Sequence, residues 1–196
     1  MENPGPGNSP EIPAPGSAPA RPGPRPQGGR LPPVDCGDFD IRIARDGTWF
    51  YRGSPILRPP LVKLFASVLR REDDGSYWLV TPAERGRVEV EDVPFTAVEV
   101  DRQGEGNDQN LIFRTNLDEI VTAGPRHPLR VETAADGTPS PYILVRPGLE
   151  ARLTRPVFYE IVDLGEEATA DGETRLHVWS GGMIFDLGSL DELEAD

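Results

Sequence analysis

Residues 77–82, YWLVTP, and residues 142–147, YILVRP, are two similar stretches that lie 65 residues apart. An arginine follows each stretch at the same distance, Arg87 in the first and Arg152 in the second. Self-similarity at a fixed offset indicates a repeated structural unit. The sequence therefore predicts a β-rich α+β fold, in which two related small units of sheet plus helix pack together after an internal duplication.

The predicted units occupy only the middle of the chain. Residues 1–33 hold 11 of the 22 prolines. Such a segment buries too little apolar surface to offset the entropy of ordering it, so we expect a disordered tail. Residues 34–102 are predicted to form the first α+β unit and residues 103–190 the second, β-rich unit. Residues 191–196 are predicted to be an acidic, frayed end.

Alternation of apolar and polar residues predicts many short strands. Residues 39–45 and 48–51 flank Asp46-Gly47, a typical hairpin turn, and residues 175–180 and 183–187 form a closing pair across two glycines. Further strands are predicted at residues 76–81, 86–92, 95–101, 111–115, 129–133, 141–146, 150–154 and 157–163. Both units are therefore expected to consist mainly of strands.

Helical periodicity is confined to the first unit. A helix is predicted at residues 59–71, because apolar residues repeat there at i, i+3, i+4 and i+7 from Leu61 onward. Residues 117–121 are compatible with one further helical turn. Val98 and Val100 are out of phase with Val93 and Phe95, which predicts a β-bulge or a bend between the two pairs.

Charge and composition narrow the classes of partner. The chain has a net charge of −13, and residues 1–33 carry +1, which leaves −14 on the remainder. A field of that sign repels phosphate backbones and anionic lipid surfaces, so we expect neither a nucleic-acid nor a membrane partner. Cys36 is the only cysteine, so a disulfide within the chain is excluded. With no apolar run of membrane length and no secretory pattern at the start, we expect a cytoplasmic protein.

Residues 45–56 (RDGTWFYRGSPI) and 178–182 (VWSGG), together with the YWLVTP stretch, resemble a bacterial family known only as a domain of unknown function. The resemblance covers about residues 35–190 and omits the Pro-rich segment. It implies a repeated α+β motif and a role in signalling or regulation. It implies no catalytic residues, because the family has no established activity.

The first candidate site lies before the predicted helix. Trp49 and Tyr51 precede a Gly-Ser-Pro turn, and Arg58 stands beside the helix start. Free N–H groups at a helix start can hold an anion, and an arginine can add a charge-assisted hydrogen bond. Two prolines at positions 59 and 60 remove two of these donors. The alternative is a structural turn against which the aromatic side chains pack.

The second candidate site is the Trp179-Ser180-Gly181-Gly182 stretch. Consecutive glycines can expose N–H groups to an anion, or can form an ordinary hairpin turn. His177 lies nearby, but no Gly-x-Ser-x-Gly elbow accompanies it. The only other histidine, His127, is 50 residues away, so no metal site is predicted. The sequence identifies no cofactor.

We interpret the chain as a non-enzymatic regulatory module in signal transduction that binds a small molecule or a protein partner. The matched arginines either bridge the two units or line a groove between them. The candidate ligand-binding residues are Trp49, Tyr51, Arg58, Arg87 and Trp179. One alternative is a small-molecule hydrolase or transferase that uses carboxylates and His177. Another is an assembly protein whose β edges pair two chains into a homodimer.

Overall fold

The computed structural model describes residues 32–135, 137–170 and 173–189, together with Met1. The predicted acidic end lies outside these ranges. So does the predicted Pro-rich tail, apart from Met1 and residues 32 and 33. Within them, neither helix has the length and apolar character needed to cross a lipid bilayer.

The first half of the described chain forms a six-stranded sheet in the order β3-β2-β1-β6-β5-β4. Its strands are β1 (Val34–Ile43), β2 (Trp49–Tyr51), β3 (Ser54–Pro55), β4 (Leu69–Arg71), β5 (Tyr77–Val80) and β6 (Glu84–Val90). The central pair, β1 and β6, is parallel, and all the other pairs are antiparallel. Helix α1 (Pro59–Ser67) connects β3 to β4.

The second half forms a six-stranded sheet with the same strand order, β9-β8-β7-β12-β11-β10. Its strands are β7 (Phe95–Gln103), β8 (Asn110–Thr115), β9 (Ile120–Thr122), β10 (Leu129–Thr133), β11 (Pro139–Arg146) and β12 (Leu149–Leu153). A short 3-10 helix (Gly106–Asp108) joins β7 to β8. The central pair, β7 and β12, is again parallel. A β-rich α+β fold with two similar halves is therefore confirmed.

The chain ends in a third, three-stranded antiparallel sheet. Helix α2 (Arg155–Val162) leads to its strands β13 (Glu166–Ala170), β14 (Glu173–Ser180) and β15 (Met183–Ser189). Ile43 of the first sheet, Phe113 of the second, Ile161 of α2 and Leu187 of the third sheet are fully buried in one hydrophobic core. All three sheets thus depend on the same buried apolar surface.

The two halves correspond in structure with a shift of one residue from the match of their sequences. Trp78 pairs with Arg87 in the first half, whereas Tyr142 pairs with Arg152 in the second. Tyr142 therefore takes the place of Trp78, while Tyr77 belongs to the core. A bulge near the end of β11 accounts for the slip. The equivalence of the two tyrosines suggested by the sequence offset is wrong, because a slip of one residue moves a side chain to the opposite face of a sheet.

Helix α1 begins where the sequence predicted but ends earlier. Residues Leu69–Arg71 form β4 because they pair with Tyr77–Leu79 of β5. The helical turn predicted at residues 117–121 is also wrong, since Ile120–Thr122 pairs with β8. The predicted bulge after Phe95 is confirmed by a register shift between Ala97 and Glu99.

Helix α2 replaces a strand predicted at residues 157–163, so that prediction is wrong. Thr154 occupies the position before the first turn and Pro156 lies within it, a pattern that favours a helix start. Val157 and Ile161 are buried on one helical face. The valines and aromatic residues of this segment favour a strand. Burial of one apolar helical face in the core outweighs that preference and stabilises the helix.

The predicted Asp46-Gly47 hairpin turn is confirmed, and it contacts the second sheet. Gly47 has a φ of 82°, and a Cβ atom there would lie 2.6 Å from Asn116 Nδ2. Asn116 Nδ2 donates a hydrogen bond to the Gly47 carbonyl at 3.3 Å, and Asn116 Oδ1 accepts one from the Thr96 N–H at 3.1 Å. One amide side chain thereby ties the β1–β2 turn to the start of β7.

The predicted closing hairpin is confirmed, and its turn anchors the third sheet. Ser180 is fully buried. Its Oγ donates to the Ala123 carbonyl at 2.8 Å and accepts the Leu111 N–H at 2.8 Å. The Gly181 N–H donates to the Gln109 carbonyl at 3.1 Å. The VWSGG motif therefore holds β14 and β15 against the second sheet, and the Gly181 N–H is already used in that contact.

Replacing Gly47 by alanine should destabilise the protein more than the same change at Gly53. Both glycines have positive φ, but a Cβ atom at Gly53 meets nothing within 4 Å. We expect Gly53→Ala to cost about 1–2 kcal/mol for the backbone conformation. Gly47→Ala should cost about 1–3 kcal/mol more, because the new methyl group collides with Asn116. Urea unfolding of both variants measures the difference, and equal losses would contradict the docking of this turn.

Ser180→Ala should lower the free energy of unfolding by about 2–4 kcal/mol, because it leaves a buried N–H and a buried carbonyl unpaired. The matched control is Ser67→Ala, since the exposed Ser67 hydroxyl donates only to the Leu64 carbonyl of its own helix. We expect that control to change stability by about 0.5 kcal/mol or less. Chemical denaturation compares the two, and a Ser180 variant as stable as the control would refute the anchoring role.

Candidate functional site

A cavity of about 660 Å³ lies beside α1. We call it the α1 cavity. Its lining comes from β1, β2, β3, the segment that follows β3, α1, β5 and the start of β6, and ten of its 14 lining residues are apolar. Ligand sites of proteins are commonly concave, mostly apolar and of this size. The cavity is therefore the candidate functional site.

The apolar stripe of α1 faces this cavity. Leu61, Phe65 and Val68, spaced four and three residues apart, line its wall. The buried residues of α1 are Val62 and Ala66, whereas Phe65 and Val68 are only partly covered by the core. The periodicity was a valid signal of an apolar helical face, but period alone does not distinguish packing against a core from exposure to an open cavity.

The β2–β3 turn places Tyr51 at the edge of the α1 cavity. The turn contains Arg52 and Gly53, both with positive φ, and the Arg52 N–H donates to the Asp40 carbonyl at 2.9 Å. Tyr51 is 46% exposed, and the Arg52 guanidinium lies 5.2 Å from the centre of its ring. An exposed phenol supported by a cation combines apolar surface with a hydrogen-bonding tip.

Arg58 supplies the positive charge of the lining. It precedes α1, whose first turn contains the two prolines. Over residues 32–135, 137–170 and 173–189, its exposed guanidinium has no hydrogen-bond or ion-pair partner. Glu84 is the carboxylate of the same lining, and its Oε2 lies 3.8 Å from Cys36 Sγ. Because the prolines remove backbone donors, an anion bound here would depend on Arg58 more than on the helix end.

Trp49 lies beneath the cavity wall. It is 1% exposed, and its ring stacks on Phe65 at 6.4 Å between centroids with an interplanar angle of 24°. Its buried Nε1 has no hydrogen-bond partner in the described part of the chain. Trp49 therefore reaches the cavity only through Phe65, whose position its ring fixes.

The other predicted residues lie elsewhere. Arg87 is exposed on β6 and borders a smaller recess of about 360 Å³ with Asp38. Trp179 is half-buried on β14, where its carbonyl accepts a hydrogen bond from Gln109 Nε2 at 2.9 Å. Arg152 forms an ion pair with an aspartate and lines a different cavity. The structure does not bring the repeat-matched arginines to one groove, and a binding role for each stays a prediction.

His177 also lies outside the α1 cavity. It is half-buried on β14, in register with Glu166 of β13 and Asp186 of β15. Its buried Nδ1 has no hydrogen-bond partner among the described residues. In the same ranges, no group of three or more His, Cys, Asp or Glu side chains is placed to hold a metal ion.

A polar cluster that no sequence pattern predicted lies around Tyr142 of the second sheet. The Tyr142 hydroxyl donates to Asp92 Oδ1 at 3.1 Å, and Arg152 contacts Asp92 Oδ2 at 3.0 Å. The Arg130 guanidinium lies 4.3 Å above the Tyr142 ring. Burial raises the pKa of Tyr142, and the Asp92 carboxylate raises it further. The phenol is therefore kept protonated as a donor, and the cluster fixes the orientation of Arg152.

Comparison with solved structures gives two relatives. A DUF1285 family protein from Silicibacter pomeroyi DSS-3, with a crystal structure at 2.50 Å resolution, is 47% identical. The match covers 83% of this chain and 86% of that one, with a TM-score of 0.75. A DUF1285 family protein from Shewanella baltica OS155, solved at 1.40 Å, is 30% identical over 63% of this chain and 90% of that one, with a TM-score of 0.49.

Family models match along nearly the whole described chain. The model described as "Domain of unknown function (DUF1285), N-terminal domain" matches residues 30–93. The model described as "Protein of unknown function (DUF1285), C-terminal domain" matches residues 94–187. A search of curated proteins gave no match. The two adjoining matches and the Silicibacter structure agree, so the chain belongs to the DUF1285 family.

Proposed function

We propose that this protein is a non-enzymatic regulatory module that binds a small molecule in the α1 cavity. The ligand has an apolar body and one anionic group. The single observation that carries the proposal is the apolar stripe of α1, which is only partly covered by the core and lines an open cavity. We also propose that the two halves arose by internal duplication, because their strand orders are the same.

The apolar body follows from the cavity wall. Leu61, Phe65 and Val68 present one continuous hydrophobic face, and Phe39 and Ile41 of β1 line the same space. Removing apolar surface from water contributes about 25 cal/mol per Å². Filling the cavity with an apolar group therefore supplies most of the driving force for binding.

The anionic group follows from Arg58. Its guanidinium is exposed and unpaired within the described ranges, so a ligand need not displace a partner from it. A hydrogen bond between a guanidinium and a carboxylate or phosphate is stronger than one between neutral groups. Glu84 lies in the same lining and disfavours a second negative charge on the ligand.

The enzymatic alternative finds less support at this cavity. General acid–base catalysis needs a titratable group within reach of the substrate, most often histidine. Neither histidine lines the α1 cavity, and Glu84 is its one carboxylate among the residues that the structure describes. A hydrolase or transferase that uses His177 would require a separate site on the third sheet.

Anilinonaphthalene sulfonate is a suitable probe, since it combines an aromatic body with one anionic group. We expect it to bind saturably to the full chain with a rise in fluorescence. Leu61→Glu should abolish this rise, because it places a charge on the cavity wall. Leu64→Glu is the matched control, because Leu64 is on the same helix, is 61% exposed and is outside the lining. Equal binding by both variants would contradict the proposal.

The charge requirement is tested separately with the same probe. Arg58→Ala should weaken binding by about fivefold to tenfold, equivalent to about 1–1.4 kcal/mol. Arg102→Ala is the control, since Arg102 is exposed, is outside the cavity and also lacks an ion pair in the described ranges. Near-ultraviolet circular dichroism verifies that each variant keeps native packing. A loss of affinity shared by both arginine variants would indicate a non-specific charge effect and reject the assigned contact.

A further inference from the structure

A second cavity, of about 480 Å³, lies at the beginning of α2. We call it the α2 cavity. Its lining comes from the β1–β2 turn, the start of β7, the beginning of β11, the end of β12 and the first turn and a half of α2. It shares no lining residue with the α1 cavity. An inference about it therefore stands independently of the function proposed above.

Three arginines from three different elements line this cavity. They are Arg45 of the β1–β2 turn, Arg152 of β12 and Arg155 of α2. Among the described residues, the carboxylates beside Arg45 and Arg152 are Asp46, in the lining, Glu91, whose Oε2 accepts the Arg45 N–H at 3.0 Å, and Asp92, which pairs with Arg152 at 3.0 Å and lies 4.0 Å from Arg45. Three guanidinium groups are thus brought together on a chain whose net charge is −13.

The three carboxylates are engaged in other contacts, and Glu91 pairs with Arg42. Asp46 Oδ1 accepts the Thr48 N–H at 2.9 Å, and hydrogen bonds from Thr48 lower the pKa of Asp46. Asp92 accepts the Tyr142 hydroxyl in addition to Arg152. Arg152 itself is held by Asp92 and by Ser140 Oγ, at 3.1 Å. Its guanidinium is therefore oriented in advance, which reduces the entropy lost when an anion binds.

Thr96 provides a hydroxyl group at the wall of the cavity. The residue is 6% exposed and lines the cavity. Its backbone N–H and carbonyl both bond to Asn116, while its hydroxyl makes no hydrogen bond within the described ranges. A ligand can therefore bond to this hydroxyl, as donor or acceptor, without displacing a protein group. Thr96 is also the register partner of Arg152 on the adjacent parallel strand, so both side chains lie on one face.

Thr154 offers a second hydroxyl group next to the first. It occupies the position before α2 but makes no capping bond to the helix, and it lines the same cavity. Several guanidinium and hydroxyl donors suit a phosphate group, which has three strong acceptor oxygens and close to two negative charges. A carboxylate has two oxygens and one charge, so it would use fewer of these donors.

The rest of the lining would contact an organic group attached to the phosphate. Pro139, Pro141, Leu153 and Phe158 are apolar, and Tyr159 is half exposed beside them. We infer that the α2 cavity is a second ligand site, specific for small organic phosphates that carry an apolar or aromatic body. The phosphate lies among Arg45, Arg152, Arg155 and the two threonine hydroxyls, and the organic body lies against the prolines and Phe158.

Phenyl phosphate, inorganic phosphate and benzoate are the probes for this site. We expect the full chain to bind phenyl phosphate at least about tenfold more tightly than either of the others, because only it offers both the anion and the ring. Titration calorimetry gives the affinities. The inference would be overturned if benzoate bound as tightly as phenyl phosphate, or if phenyl phosphate did not bind detectably.

Two variants test the assigned contacts. Arg45→Ala should weaken phenyl phosphate binding by about fivefold to tenfold. Thr96→Val, which keeps the shape of the side chain and removes its hydroxyl, should weaken binding by about threefold to tenfold. Arg102→Ala should leave the affinity unchanged. Unaltered affinity in both the Arg45 and Thr96 variants would overturn the inference.

Amide chemical-shift mapping of the wild-type chain separates this site from the α1 cavity. We expect phenyl phosphate to shift the resonances of residues 96 and 152–159 and to leave residues 58–68 unchanged. Shifts confined to residues 58–68 would assign the probe to the α1 cavity and refute the α2 site. Failure of anilinonaphthalene sulfonate to bind, together with the expected phenyl phosphate shifts, would refute the proposed function alone.

Discussion

The amide of Asn116 joins the two six-stranded sheets, which share one core, at the hairpin that borders both cavities. It bonds to Gly47 in the β1–β2 turn of the first sheet and to Thr96 on β7 of the second. The strands on either side of that turn carry Ile41 and Tyr51 into the α1 cavity. The turn itself borders the α2 cavity. Both cavities therefore share one hairpin, whose turn Asn116 ties to the second sheet.

Local patterns predicted the short-range features of the fold well. The Asp46-Gly47 turn, the bulge after Phe95 and the closing hairpin before Met183 all depend on neighbouring residues and were all confirmed. Helix α2 was not predicted because its valine and aromatic residues favour strands. Only burial of Val157, Phe158 and Ile161 against the core stabilises the helical conformation. The slip between Tyr77 and Tyr142 was hidden as well, since a bulge near the end of β11 changes the register without changing the sequence similarity.

The candidate sites were predictable only in part. Tyr51 and Arg58, which line the α1 cavity, were predicted because they border a turn before a helix, and that local signal is present in the sequence. The open face of α1 was not, since an apolar stripe looks the same whether it meets a core or an empty space. Arg45, Thr96 and Arg155 are far apart in the chain. Their convergence depends on the parallel pairing of β7 with β12 and on the docked turn, which no local pattern encodes.

The parallel pair at the centre of each sheet has a consequence for folding during synthesis. In the first half, residues 44–83 separate β1 from β6, and in the second, residues 104–148 separate β7 from β12. One edge of β1 and one edge of β7 therefore stay unpaired until almost all of the corresponding half of the chain has left the ribosome. Non-local pairing of this kind slows folding and exposes strand edges to aggregation in the meantime. We expect nascent chains that stop before Glu84 or before Leu149 to be especially dependent on chaperones.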